Sequence, residues 1–382
     1  MDAAQAGGLL TIDLGALAAN WRLLRGRAGG AECAAVVKAD AYGIGIEAAV
    51  PALAAAGCRT FFVAHLSEAF RVRAAAPEAV VYVLNGLLPG TAPAYAGRDL
   101  RPVLGSQDEL EEWAAFCRGE GRRLAAAIHV DTGMNRLGLP VPEGLALNGD
   151  RRLQDFAPAL LMSHLVGAEE PENPVNRRQI DAFRALREVL PGVPASLCNS
   201  SGIFLPEAPH LDMVRPGYAL YGGNPTPTRA NPMRAVVTLE GRVIQLRTVE
   251  DGARVGYNAT WTAAGRRRLA TVSVGYADGY LRSASRTDAT VAAGSPAGEA
   301  LVAGRRCPLV GRISMDLIVV DVTEVPEAPS RGAAVTLIGG ELTVDEVGRR
   351  AGTIGYEILT SLGRRYARTY VATAAHDAGR AS

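Results

Sequence analysis

Residues 32–45 read ECAAVVKADAYGIG. A short apolar run stops at Lys38. From Gly43 the chain continues as GIGIEAAVPALAAA, a glycine break followed by an alanine-rich stretch of helical character. This strand–break–helix unit recurs. Apolar runs predict strands at 33–38, 60–65, 80–85, 101–105, 126–131, 160–165, 195–199 and 211–215, with helical patterns filling the gaps. One gap, SQDELEEWAAFCRGEG, opens with Ser106 and Glu109 at capping-box spacing. Eight strands alternating with helices predict a (β/α)8 barrel.

The texture changes near residue 230. Pro225, Pro227 and Pro232 and two Asn-Pro pairs mark a boundary. Beyond it, AVVTLEGRVIQL, LATVSVGY, ATVAAG, ISMDLIVVDV and AVTLIGG predict closely spaced strands, with short helices near TVDEVGRRAG and GYEILTSLG. The expected organisation is a barrel over residues 1–230 and a mostly β domain over 231–382.

Composition excludes several classes. Net charge is +1, with 40 Lys plus Arg scattered among 39 Asp plus Glu, which argues against a nucleic-acid partner. No stretch approaches the roughly 18 apolar residues of a membrane span. The N-terminus lacks the basic flank and apolar core of a signal peptide. The five cysteines are odd in number, far apart and without CxxC or Cys/His clusters. Neither a disulfide framework nor a metal site is expected, and free thiols point to the cytoplasm.

Lys38 is the chain's only lysine, so arginine makes up the rest of the 40 basic residues. On a solvated surface the two exchange freely. They stop being equivalent where the side chain must lose its proton, as a base or Schiff-base nucleophile. In a barrel the C-terminal strand ends converge on one mouth. Lys38 ends the first strand, His164 the sixth, CNSSG follows the seventh, and RPGYALYGG follows the eighth. Each alone has an ordinary structural use; their convergence is the signal. The last two segments lie where barrels bind phosphate, and Ser200 and the small residues suit an anion. A lysine facing a phosphate cup predicts pyridoxal phosphate. GIGIEA also fits the dinucleotide fingerprint, with Glu68 just beyond the second strand. A dehydrogenase, however, explains neither the solitary lysine nor the β-rich C-terminal third.

VVKADAYG around Lys38 resembles the cofactor-lysine segment of bacterial alanine racemases. So do DTGMNRLG (131–138), SHL (163–165), NSSG (199–202), DMVRPGYALYG (212–222), VGYNATW (255–261), VGYADGY (274–280), VGRISMD (310–316) and TIGYEI (353–358). The likeness runs in order across nearly the whole chain. It implies a pyridoxal-phosphate barrel followed by a β domain. It also implies an isomerase that interconverts L- and D-alanine by two-base proton transfer at Cα, supplies D-alanine for peptidoglycan, and works as a homodimer with shared sites.

Carried over by that resemblance, Lys38 is the Schiff-base lysine and Tyr257 the second acid–base group. Tyr42, Tyr356, Ser200 and the amides near Gly217 and Tyr218 meet the phosphate. Arg215 faces the pyridine nitrogen, backed by His164, and disfavours its protonation and hence transamination. Arg136 and the Met315 backbone take the substrate carboxylate. Three positions depart from the family pattern. Ile44 stands where many relatives have His, Asn135 where Gly is common, and His129 where some carry a modified lysine that orients the arginine. Another anion, or Asn135, is then expected to hold Arg136. A same-fold decarboxylase and a single-domain cofactor carrier are alternatives; VGYNATW and GRISMD argue against the first, and the C-terminal domain against the second.

Overall fold

The computed structural model describes residues 2–207 and 209–373. Strands Ala35–Val36, Thr60–Val63, Val80–Val83, Arg101–Leu104, Ala125–Asp131, Ala157–Met162 and Ala195–Ser196 lie parallel, side by side and in chain order. Met213–Val214 pairs with Glu32–Cys33, just ahead of the first strand. Backbone bonds from Asp212 N to Ala195 O (3.1 Å) and from Arg215 N to Cys198 O (2.9 Å) tie it to the strand before. The barrel is therefore closed, and it uses all eight segments expected of it. Helices on the outside and packed side chains within bury both faces of these strands, which is why they read as continuous apolar runs. Phe61, Phe62, Val81 and Ile128 have no exposed surface.

The C-terminal domain is built on the long strand Val237–Val249. It pairs antiparallel with Arg267–Val272, with Ala334–Ile338 and with Gly8–Asp13. Gly8–Asp13 also pairs parallel with Ala367–Val371. An inner strand of this sheet thus comes from the start of the chain, which the expected division at residue 230 assigned to the barrel. Leu10 and Ile12 are buried and alternate with half-buried residues, but the adjacent Leu9 and Leu10 blur that alternation in the sequence, and this strand is not among those expected.

Two local expectations change. ATVAAG forms a helix, Asp288–Ala292, not a strand. Thr287 Oγ1 accepts from Thr290 N (3.2 Å) and Thr290 Oγ1 accepts from Thr287 N (2.8 Å), a reciprocal cap that outweighs the β-branched residues. Helix Gln107–Glu120 is capped by Ser106, but the Glu109 carboxylate reaches Gly105 N (2.7 Å) and Leu87 N (2.8 Å) instead of closing the box on Ser106 N. Glu109 thereby ties two barrel loops together. The late helices are Val344–Arg350 and Gly355–Thr360. The second rests on the barrel mouth: a Cβ on Gly43 would sit 2.3 Å from the Leu359 carbonyl oxygen. No helix among the described residues is long and apolar enough to cross a membrane.

Candidate active site

Lys38 leaves the first barrel strand at its C-terminal end. The next four residues, Ala39, Asp40, Ala41 and Tyr42, have φ of 53, 56, 53 and 52°, and Gly43 follows at 83°. They form one left-handed turn, closed by Ala41 N to Val37 O (2.9 Å) and Gly43 N to Ala39 O (2.8 Å). Such a turn costs L-residues roughly 1–2 kcal/mol each. It brings Lys38 and Tyr42 onto one cavity of about 490 Å³, which Arg136, His164, Ser200, Arg215, Gly217, Tyr218 and Tyr356 also line. Burial, and then the charge of Arg136, hold the Lys38 ammonium below its usual range, while Glu68 opposes them. That shift favours the free amine, the nucleophilic form.

One end of the cavity suits a phosphate. Ser200 Oγ accepts from Gly217 N (3.0 Å) and Ala219 N (3.2 Å). A Cβ on Gly217 would lie 2.4 Å from the Tyr42 hydroxyl, so only glycine leaves this cradle open. Tyr42 stacks on Tyr221 at 4.4 Å, and Tyr356 on Tyr218 at 3.9 Å. Burial raises the pKa of the Tyr42 and Tyr356 phenols, which keeps both as hydrogen-bond donors. The Tyr218 hydroxyl donates to Asp345 (2.7 Å) and so fastens helix Val344–Arg350 to the barrel.

The other end suits a neutral ring nitrogen. Arg215 is 4% exposed, and its Nη2 donates to the Ser163 carbonyl (2.5 Å) and its Nη1 to Ser196 Oγ. Burial brings it down to about 10, and among the described residues no carboxylate compensates its charge. His164 is held at about 3 and His129 at about 4, by burial and then by Arg215. Both are neutral, so His129 adds no charge beside Arg136. Asn135 has φ of 55°, where glycine is favoured and asparagine is the next best choice. That departure is therefore backbone geometry. Ile44 is fully buried and packs in the core.

Sequence reasoning missed the groups that hold Arg215. A main-chain carbonyl leaves no signature, and Ser196 looks like any strand serine. It also missed Asn199, which lines the cavity and accepts from Gly202 N (2.9 Å). Tyr257 and Met315 do not line this cavity in their own chain. They are 65% and 54% exposed, on loops of the C-terminal domain. A Cβ on Gly256 would meet Arg312 N at 3.1 Å, and the Met315 carbonyl accepts from Ala277 N (3.0 Å), so these loops are packed together.

Residues 12–225 match the family model for the alanine racemase N-terminal domain, and residues 236–370 the model for its C-terminal domain. The chain belongs to the alanine racemase family. The alanine racemase of Methylobacterium sp. (strain 4-46) is 63% identical over 366 residues, covering 96% of this chain and 98% of that protein. That of Rhizobium meliloti (strain 1021) is 47% identical, with 95% and 96% covered. The solved alanine racemase of Bartonella henselae, with covalently bound pyridoxal phosphate, superposes with a TM-score of 0.90 at 38% identity, covering 96% of this chain and all of that one. Alanine racemases use pyridoxal phosphate, and racemisation of alanine is the activity of this chain.

Proposed function

We propose that this chain racemises alanine by passing the Cα proton between two bases, Lys38 on one face and Tyr257 on the other. The carrying observation is one cavity that joins an amine of lowered pKa, a buried arginine without a carboxylate, and a glycine–serine cradle. Bound pyridoxal phosphate supplies the electron sink that disperses the charge left at Cα. Ser200, the Gly217 and Ala219 amides and the Tyr42 and Tyr356 phenols would hold its phosphate. Arg215 would face its ring nitrogen. A guanidinium does not readily surrender a proton, so that nitrogen stays an acceptor and transamination is disfavoured. His164, neutral and buried behind the cation, adds no competing charge. Arg136, with the Met315 backbone, binds the substrate carboxylate. Lys38 Nζ and Tyr257 Oη then remove and return the proton on opposite faces.

A second copy of the chain supplies Tyr257 and Met315. Supporting this, both side chains are largely exposed, and Ile354 on the cavity rim is 61% exposed. A two-fold, head-to-tail dimer would cover all three and build two equal sites. Five unpaired cysteines suit a reducing cytoplasm, where D-alanine would feed peptidoglycan synthesis. The test is to incubate purified protein, loaded with pyridoxal phosphate, with L-alanine and to separate the enantiomers. An approach to equal amounts of both is expected. Loaded protein that yields no D-alanine sinks the proposal.

A further inference from the structure

Beyond its own backbone bonds, the left-handed turn after Lys38 is tied to its surroundings chiefly through Asp40. All of Asp40's polar groups but one carboxylate oxygen are engaged. Its main-chain N–H donates to Glu68 Oε1 (3.1 Å), and its carbonyl accepts from Gly45 N (2.8 Å). Its Oδ1 accepts from Ile46 N (3.2 Å) and from Arg71 Nη2 (2.5 Å). Each partner is anchored in turn. Glu68 Oε2 accepts from Ala64 N (3.0 Å) and His65 N (3.1 Å), at the end of the neighbouring barrel strand. Arg71 also donates to both oxygens of Glu47 (2.7 and 2.6 Å), on the helix that follows the turn. GIGIEA and Glu68, which mimic a dinucleotide fingerprint, thus find their use here. Gly43 and Gly45 let the backbone leave the turn at φ of 83 and 103°.

We propose that Glu68, Asp40 and Arg71 form a clamp that keeps residues 39–42 left-handed and so positions Lys38 and Tyr42 over the cofactor. Glu68 is the central positioning residue, because among the described residues its side chain alone bonds both the turn and the adjacent strand end. Without it the Asp40, Ala64 and His65 amides lose a charged acceptor. The turn then relaxes toward right-handed or extended backbone, carrying the two side chains away from the cavity. Glu68's charge also acts on Lys38, opposing burial and Arg136. A purely electrostatic role is therefore the rival account. The inference rests on Lys38 being the cofactor lysine.

The experiment uses full-length holoenzyme carrying Glu68→Gln, with and without Ala39→Gly. Gln keeps the shape and removes the charge. Gly at 39 removes one exposed methyl at the edge of the cavity and adopts φ near 53° freely. Three quantities are read: amide exchange at residues 40–43, the rate of cofactor release, and kcat and KM for alanine. Glu68→Gln should speed exchange and release by roughly tenfold or more, and lower kcat with little change in KM. Ala39→Gly should recover most of each loss. Unchanged exchange in Glu68→Gln overturns the clamp, as does a loss that glycine fails to recover, which is the electrostatic outcome. If Glu68→Gln does not fold, Arg71→Gln, whose side chain is partly exposed, is read in the same way. Borohydride labelling in parallel keeps the two claims separate. A label away from Lys38 rejects the site assignment, whereas a label on Lys38 with unchanged exchange rejects the clamp alone.

Discussion

The two proposed bases stand on similar backbone and are held in opposite ways. Lys38 precedes the left-handed residues 39–42, and Tyr257 precedes Asn258 and Ala259 at φ of 61 and 49°. Carboxylates and a guanidinium of its own chain fasten the first turn. The second is held mainly by backbone contacts, with Arg254 Nε donating to the Ala259 carbonyl (2.7 Å). Lys38 is half-buried beneath a cavity, whereas Tyr257 is 65% exposed. Folding holds one proposed base in place; in the proposed dimer, assembly would fix the other.

Lys38→Arg breaks the fixed side and carries the largest expected effect. Charge is kept, but a guanidinium neither forms the cofactor bond nor takes a proton near neutrality. Turnover should fall more than about 10⁴-fold, with loss of the visible absorbance of attached cofactor. Wild-type turnover in this variant would remove Lys38 from the chemistry.

Complementation tests the side left to assembly. Tyr257→Phe should lower kcat by roughly 10²–10⁴-fold while cofactor content stays normal. Lys38→Ala should be inactive. Co-expressed, the two would form mixed dimers with one intact site and one doubly damaged site, and random pairing should restore about a quarter of wild-type activity per protomer. Mixed dimers that form without activity would place both bases within one chain.

Gly217→Ala sharpens the contrast from the cradle. The added methyl would meet the Tyr42 hydroxyl at 2.4 Å, so the pocket must give way or lose its ligand. Cofactor affinity, measured by absorbance titration, should weaken roughly tenfold or more. Unchanged affinity would mean that the cradle is not the phosphate site.

The smallest effect is on stability. His129 and His164 are held near 4 and 3, below the ordinary 6.5, so the unfolded chain takes up these protons first as pH falls. The stabilisation from their neutral, buried state is complete above pH 6.5 and is lost progressively toward 4 and 3. Urea midpoints should therefore decline between pH 7 and about 4.5, and His129→Gln with His164→Gln should flatten that decline. An equal slope in the double variant would assign the loss to other groups.

The barrel was legible because parallel strands buried on both faces leave unbroken apolar runs, and Lys38 because it is the sole lysine among 40 basic residues. The left-handed turn was not legible. Alanine carries no signal for positive φ, and the contacts that hold Asp40 between Ala39 and Ala41 come from distant Glu68 and Arg71. ATVAAG misled because a two-threonine cap is a local side-chain event invisible to strand propensity. The setting of Arg215 was hidden for a different reason: the Ser163 carbonyl belongs to the backbone, and the sequence names only side chains.

Gly8–Asp13 sits between Val237–Val249 and Ala367–Val371, hydrogen-bonded to both. During synthesis this strand is among the first to leave the ribosome, and the partner on one edge is among the last. At about 5–20 residues per second it waits on the order of tens of seconds with open edges, while the barrel segments emerge and find one another. Until then at least one side of the strand is an unpaired β edge, the kind of surface that recruits foreign strands. Gly8–Asp13 therefore gains its second neighbour only after Ala367–Val371 has been made.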